Sequence, residues 1–434
     1  MYTKLFTIRV KIFTLCAHSF CNFFTQKVNS KMDLLSGKMF TPNAVSTLRR
    51  FIGWRQITQS IICEWDDGNS SLKLIRKQTK ILRFSFGVLL GSIYSIYLVL
   101  RLVTLLSSSS HFSIVDVLWT FLWGLYYLWA VGNYINTVLK QKDAVFFFMG
   151  MIHLDRHFED TILSTKISVK SKPKWRNITI LEVLMLVEDF MVVSFAACGS
   201  IMGLALSHKP AFISSLLDPQ YHSFPFLVGF ALFEFYTIAT TSGSITFFCN
   251  YLATYMAVTF HWVNMLRRAF LLGGMRDTRA LRNYWKLQLL NAYFNHAHTT
   301  FVYPMTMFLY FSTSILTFFG SVRLKETTPI VEYILFPMAC SFLLIVFTAL
   351  LYGSGSVYSS SCEFLHRFAN CPAVVMNNGK SKLGNRLMNK QIKALKPFGV
   401  QIGTFPYITK PSVLMVYAVW SNYAISLLIA VSNT

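Results

Sequence analysis

The chain has 434 residues, of which 54% are hydrophobic, 16% aromatic and only 13% charged. This composition excludes an ordinary soluble protein, because so few polar residues cannot cover the surface of a chain this long. The formal net charge of +22 does not indicate nucleic-acid binding, because the basic residues flank apolar stretches, where they suit anionic inner-leaflet lipid.

Seven apolar stretches reach the roughly 20 residues that cross about 30 Å of hydrocarbon as a helix. They cover residues 82–106, 113–139, 177–206, 225–266 (embedded in its first half), 299–324, 330–353 and 412–432. The sequence therefore predicts an all-α membrane protein with seven transmembrane helices.

The basic residues predict the orientation of these helices. Of the 40 Lys and Arg residues, 35 lie before span one or in the connections after spans two, four and six. Positive residues remain on the cytoplasmic side, so we expect a cytoplasmic N-terminus and an extracellular C-terminus. A G-protein-coupled receptor needs the opposite orientation, and neither a DRY-like triplet nor NPxxY is present. No G protein is expected as a partner.

Motifs of soluble enzymes are missing from the sequence. There is no Walker loop, GxGxxG, GxSxG or HExxH. His153, Asp155 and His157, and separately His296 and His298, form clusters with too few ligands for zinc, and we expect solvated helix faces there. We therefore expect no enzyme activity, no cofactor and no metal site.

Ionisable residues within the spans need partners, because charges in hydrocarbon are costly. Arg101 near the end of span one and Asp116 near the start of span two are predicted to form a structural ion pair across the short connection. Glu188 and Asp189 in span three and Glu234 in span four are candidate polar anchors of a ligand pocket. The alternative for these three carboxylates is pairing between helices.

Aromatic and hydroxyl residues suggest where such a pocket would lie. Span two carries an aromatic stripe at three- and four-residue steps, consisting of Trp119, Trp123, Tyr126, Tyr127 and Tyr134. Span four carries a hydroxyl run over residues 237–246 that includes Thr241. A largely apolar cavity with a few polar groups is typical of small-molecule pockets. Packing between helices is the alternative for the stripe.

The most specific motif lies at the C-terminus. Residues 389–430 read NKQIKALKPFGVQIGTFPYITKPSVLMVYAVWSNYAISLLIA, a helix, a turn region and a last helix. This block resembles the C-terminus of the insect-type chemoreceptors, the gustatory and odorant receptor superfamily, with Gly403, Thr404 and Phe405 in the family's turn. Within the gustatory pattern TYhhhhhQF, Tyr423 and the hydrophobic run match. STLRRFIGW (46–54) also resembles the family's short N-terminal element.

That resemblance implies a ligand-gated, non-selective cation channel of four subunits, as a homotetramer or a heterotetramer with a co-receptor. Its small-molecule ligands would be tastants or odorants, and it would be located in the plasma membrane of sensory neurons. Residues 1–81 would form a cytoplasmic segment with an interfacial helix, and residues 82–353 a six-helix ligand-binding domain. Residues 354–411 would form a cytoplasmic anchor helix and turn, and residues 412–434 the pore-lining helix.

Span seven has one narrow face of small and polar residues that suits a pore. Its candidate pore-lining residues are Asn422, Ser426, Ile429, Ala430 and Asn433. The family's hydrophobic constriction falls on Ser426 and Ala430 here, so we expect the neighbouring Ile429 to take over the gate. The alternative for the narrow face is packing of small residues against another helix.

Two other classes of function remain open. A secondary transporter also uses buried carboxylates, although internal repeats are absent here. An accessory or scaffold membrane protein is equally compatible with the spans.

Overall fold

A computed structural model describes residues 39–68, 71–107, 113–163, 180–271, 277–370 and 390–431. In these residues the chain forms ten α-helices with both ends described and one two-stranded hairpin, besides helical residues 390–394 and two short 3-10 helices, Ile213–Leu216 and Pro219–Tyr221. The elements are α1 (Pro42–Ile57), β1 (Cys63–Asp66), β2 (Ser71–Leu74), α2 (Gln78–Ser107), α3 (Ile114–Leu139), α4 (Gln141–Leu163), α5 (Ile180–Ala205), α6 (Phe224–Leu271), α7 (Asp277–His298), α8 (Val302–Arg323), α9 (Ile330–Ala369) and α10 (Ser412–Ala430).

Seven of these helices are long and apolar enough to cross a membrane: α2, α3, α5, α6, α8, α9 and α10. The predicted seven-span, largely helical architecture is therefore confirmed. The antiparallel hairpin β1–β2 is an addition that the sequence did not predict. It occupies a segment after α1 that hydropathy alone does not distinguish from a turn-rich connection.

Two helices are longer than predicted. α6 has 48 residues and α9 has 40, which correspond to about 72 and 60 Å at 1.5 Å per residue. The domain boundary predicted at 353/354 thus lies inside a continuous helix. Small residues at this point allow close packing. A Cβ on Gly355 would lie only 2.7 Å from the backbone of Thr409 and Lys410.

The bundle has two ends that differ in structure. One end holds the connection between α5 and α6, residues 206–223, and is called the loop end. The other holds the hairpin, α1, α4, α7 and the extensions of α6 and α9, and is called the hairpin end. Its core is aromatic, with Tyr255 stacked on Phe294 at 3.9 Å and Tyr284 on Phe364 at 4.9 Å between ring centroids.

The histidine-rich segments at the hairpin end are not simple solvated faces as predicted. Asp155 is buried, and its carboxylate accepts hydrogen bonds from the backbone N–H groups of Met39 and Phe40. His298 is buried as well, with its ring edge-on to Tyr251 at 4.5 Å. These contacts tie α1 and α7 to the bundle, so the polar residues are used in packing.

The segment before α10 forms the turn that the motif predicted. Gly403 has a positive φ of 59°, which glycine adopts without steric cost. Its N–H donates to the Thr299 carbonyl at 2.8 Å, and the N–H of Ile408 donates to Val400 at 2.9 Å. The segment therefore fixes the start of α10 against α7 and α9.

Candidate functional site

Four residues of the α3 stripe, Trp119, Trp123, Tyr126 and Tyr127, lie in one cluster at the loop end, whereas Tyr134 packs on Phe84 outside it. Tyr127 stacks on Tyr94 of α2, with 4.2 Å between the ring centroids. Trp123 lies 6.3 Å from Tyr127 and 6.2 Å from Phe212 of the loop. Four helices and the loop thus surround the predicted residues, because the stripe faces the bundle interior.

Glu234 is the buried carboxylate of this cluster. Its side chain accepts a hydrogen bond of 2.6 Å from the Tyr94 hydroxyl, and the residue is only 2% exposed. The hydroxyl of Tyr127 donates to Thr237, and Thr241 donates to the Thr237 carbonyl at 2.6 Å. The hydroxyl run of α6 is therefore joined to the aromatic stripe by hydrogen bonds.

Tyr126 joins the same two helices one turn away. Its hydroxyl lies 2.5 Å from Ser242 Oγ and donates to the Ile238 carbonyl at 3.1 Å. The carbonyl of Ile238 lies within α6, so this contact fixes the spacing between α3 and α6. Tyr126 thus stabilises the wall of the cluster.

The loop of residues 206–223 folds into the bundle and covers the cluster. Ala211 and Phe212 are each 3% exposed. Two α2 tyrosines lie against the loop backbone: the Tyr94 hydroxyl, which donates mainly to Glu234, lies 3.2 Å from the Ala211 carbonyl, and Tyr97 shares its one hydroxyl proton between the carbonyls of Pro210 and Phe212 at 2.9 and 2.8 Å. Sequence analysis missed this cover, although the apolar residues 211–213 in a connection were an available signal.

A small cavity lies beneath this loop. It is lined by Trp119, Trp123, Met202, Leu206, Lys209, Ala211, Phe212 and Glu332. The space suffices for about one water molecule. A larger molecule enters only if the loop moves, because the loop forms one wall.

The predicted pair of Arg101 and Asp116 is not what the structure shows. Asp116 pairs with Lys209, whose Nζ lies 2.9 Å from its Oδ1. Arg101 donates to Ser215 at 3.1 Å. Both partners come from the loop, which the sequence did not place between α2 and α3, and this insertion separates the two predicted partners.

The structure separates Glu188 and Asp189 from Glu234. A Cβ on Gly203 would lie 3.3 Å from Glu234, and Glu188 precedes Gly203 on α5 by about 22 Å along the axis. Arg55 of α1, with its side chain 2% exposed, pairs with Asp189 at 3.1 Å. These contacts match the alternative of pairing between helices, and they place the two carboxylates outside the aromatic cluster.

The small and polar face of α10 is exposed. Its described members Asn422, Ser426, Ile429 and Ala430 are all exposed and span an arc of about 100° at 100° per residue. The buried residues of α10 are Val413, Trp420 and Ala424, which lie on the opposite side. This surface (Ala418, Asn422, Ser426, Ile429 and Ala430) is called the exposed face below, and Asn433 lies outside the described residues.

Packing links the cavity to α10. Trp119 lies 4.8 Å from Phe336 of α9 between ring centroids. Both belong to a hydrophobic cluster that also contacts Leu427 and Leu428 of α10. The cavity wall and the residues beside Ile429 therefore belong to one packed hydrophobic cluster.

The fold is similar to that of solved receptors. No protein-family model matches the sequence, and no curated protein matches it significantly. The structure of the insect olfactory receptor OR5 from Machilis hrabei aligns with a TM-score of 0.60 at 12% identity, covering 88% of this chain and 99% of the receptor. The structure of the same receptor in complex with eugenol aligns with a TM-score of 0.58 at 12% identity, covering 88% and 97%. The chain therefore shares the fold of this olfactory receptor.

Proposed function

We propose that this chain is a divergent insect-type chemoreceptor that acts as a ligand-gated, non-selective cation channel. The observation that carries the proposal is the fold shared with an olfactory receptor over 88% of the chain. One of the aligned receptor structures is a complex with eugenol, which supports a small organic molecule as the ligand here. The C-terminal turn at Gly403 and the match at Tyr423 support the same superfamily independently of the fold.

The ligand site in this proposal is the aromatic cluster at the loop end. Its walls are Trp119, Trp123 and Tyr127, with Glu234 and Thr241 as buried polar groups. Mostly apolar walls with a few polar groups suit a small organic molecule. Opening of the loop around Phe212 would admit the ligand.

The pore in this proposal is formed by α10 from four subunits. The exposed face carries small and polar side chains that water and cations tolerate, with Ile429 as the hydrophobic constriction. The subunits form a homotetramer or a heterotetramer with a co-receptor, in the plasma membrane of sensory neurons. The N-terminus is cytoplasmic, so the loop end is extracellular and the hairpin end anchors the tetramer inside the cell.

Gating would follow the hydrophobic contacts between cavity and pore. Ligand against Trp119 displaces Phe336, and the shared cluster transmits this displacement to Leu427 and Leu428. Packed side chains shift between discrete arrangements, since a dense core does not deform continuously. Rotation of α10 would then remove Ile429 from the pore axis.

Whole-cell recording with a panel of tastants and odorants tests the proposal. A ligand-evoked cation current supports the channel, whereas uptake of labelled solute without current would identify a transporter. Neither current nor uptake at confirmed surface expression would leave an accessory scaffold and overturn the proposal.

A pair of variants tests the site. Trp123→Ala and Glu234→Gln should each raise the half-activating concentration about tenfold, the equivalent of about 1.4 kcal/mol of lost contact. Leu128→Ala is the matched control, because Leu128 lies on α3 but is 50% exposed. Equal shifts in all three variants, or none, would place the ligand elsewhere.

A further inference from the structure

The cavity beneath the loop has an unbalanced charge at its edge. Lys209 Nζ lies 2.9 Å from Asp116 Oδ1 and 3.7 Å from Glu332 Oε2. One ammonium group thus faces two carboxylates, and the formal charge of the group is −1. The Glu332 side chain is 5% exposed, so water does little to screen that charge.

Of these two carboxylates, Glu332 is the one with an oxygen that lacks a hydrogen-bond donor among the described residues. Its Oε2 is buried and receives no hydrogen bond from any residue that the structure describes. The 3.7 Å to Lys209 exceeds hydrogen-bond length. Glu332 and Asp116 both lie in the first turn of their helices.

Aromatic rings stand beside this carboxylate. Trp119 and Trp123 line the same cavity as Glu332, and Trp119 Nε1 also has no partner among the described residues. The face of an indole attracts a cation within about 6 Å of its centroid. A carboxylate and two indoles together recognise a positively charged organic group better than a neutral one.

From this arrangement we propose that the cavity binds an organic cation, an ammonium group on an apolar body. The ammonium donates to Glu332 Oε2, which then has the hydrogen bond that it lacks. The apolar body packs against Trp119 and Trp123. This inference rests on the proposed function, since it names the ligand class of the same site.

The loop must open for such a ligand to enter, because it closes the cavity. Ala211 and Phe212 close the cavity and are held through backbone carbonyls by Tyr94 and Tyr97. Carbonyl contacts do not depend on which side chains the loop carries. These carbonyl contacts hold the loop in its closed position. Among the described residues, Lys209 is the one basic side chain that the loop places in the cavity lining.

Recording from the full-length receptor with three matched compounds tests the proposal. These are 2-phenylethylamine, its neutral isostere 2-phenylethanol, and phenyltrimethylammonium, whose charge is permanent. We expect 2-phenylethylamine to activate at concentrations at least tenfold below the alcohol, and phenyltrimethylammonium to fall between the two, because it keeps the charge but has no N–H to donate to Glu332. Equal potency of the amine and the alcohol would overturn the inference and leave the channel function intact.

Variants assign this preference to the cavity. Glu332→Gln should reduce the preference for cations by at least tenfold, whereas Glu332→Asp should retain most of it. Glu326→Gln is the matched control, because it removes an equal charge from an exposed position in the connection just before α9. If Glu332→Gln does not reach the surface, Trp119→Leu provides the second variant and should also reduce the preference for cations.

A binding measurement separates the two proposals. Thermal unfolding of the purified receptor with each compound reports binding without any current. Stabilisation by the amine in the parent but not in Glu332→Gln, in the absence of current, would support the cation site and contradict the channel. Stabilisation by the alcohol alone would contradict the cation site.

Discussion

Helices α3 and α10 make the same contact with α8 but differ in the rest of their surroundings. Trp129 of α3 donates to Thr306 at 3.0 Å, and Trp420 of α10 donates to Ser314 at 2.9 Å. Their mean hydropathies are close, at 1.5 and 1.8. Half of the apolar window of α3 is buried by its own chain, against 17% for α10.

The comparison shows that hydropathy reports how apolar a helix is, not what covers it. Tyr127, Ala130 and Tyr134 of α3 are fully buried, whereas Leu414 and Met415 of α10 are 65% and 72% exposed. Other segments of the same chain cover this face of α3. The surroundings of α10 are not completed by the described residues of the chain.

The largest expected effect tests whether α3 is stabilised by contacts within its own chain. Trp129→Ala removes a buried indole and its hydrogen bond, and should lower the free energy of unfolding by about 3 kcal/mol. This is the low end for Trp→Ala, because lipid is itself apolar and the free energy of transferring the side chain out of the core is therefore smaller than in water. Met415→Ala is the control on α10 and should leave subunit folding unchanged. Thermal unfolding in detergent measures both, and equal losses would contradict the comparison.

The next effect concerns the junction that positions α10. Gly355→Ala places a methyl group 2.7 Å from the backbone of residues 409 and 410. Backbone atoms cannot move aside as the end of a flexible side chain can. We expect a loss of about 2 kcal/mol from overpacking, together with altered gating. Gly229→Ala, where an added Cβ meets nothing within 4 Å, should behave like the parent in unfolding and in current.

The buried His298 at the end of α7 should make stability depend on pH. Burial, with a smaller contribution from Lys140, lowers the pKa of His298 from 6.5 to about 3. Between these values the unfolded chain binds a proton that the folded chain does not, so stability falls as pH falls below 6.5, by about 1.4 kcal/mol per pH unit. His298→Gln should flatten this slope between pH 6.5 and 5, measured by thermal unfolding.

His296→Gln is the control for this pH dependence. His296 lies two residues earlier and its side chain is 68% exposed, so its replacement leaves the buried imidazole in place. A slope that stays the same in His298→Gln would show that another group causes the pH dependence.

The smallest expected effect on stability comes from substitutions on the exposed face of α10. Ile429→Ser should raise the resting current, because a polar ring does not close a pore by dewetting. Ser426→Val should change the resting current less, and neither should affect subunit unfolding. A large drop in current with Ser426→Val and none with Ile429→Ser would move the gate to Ser426.

Several features were predictable from the sequence because they depend on local patterns. Trp123 and Tyr127 follow helical spacing, so a shared face was certain once α3 formed, and the structure brings them together. Asn422 and Ser426 share a face of α10 for the same reason. The partners of Arg101 and Asp116 were predicted wrongly, because a loop distant in sequence supplies them.

The sequence by itself determined the seven spans and the faces of their helices, since hydropathy and periodicity act within one segment. Only the tertiary structure decided which faces the chain covers. It inserted the loop at Phe212 over the aromatic cluster, separated Glu188 from Glu234 by helix depth, and placed Lys209 between two carboxylates. These outcomes depend on contacts between different segments of the chain, such as Lys209 with Asp116, 93 positions apart, whose free energy exists only after the helices have packed.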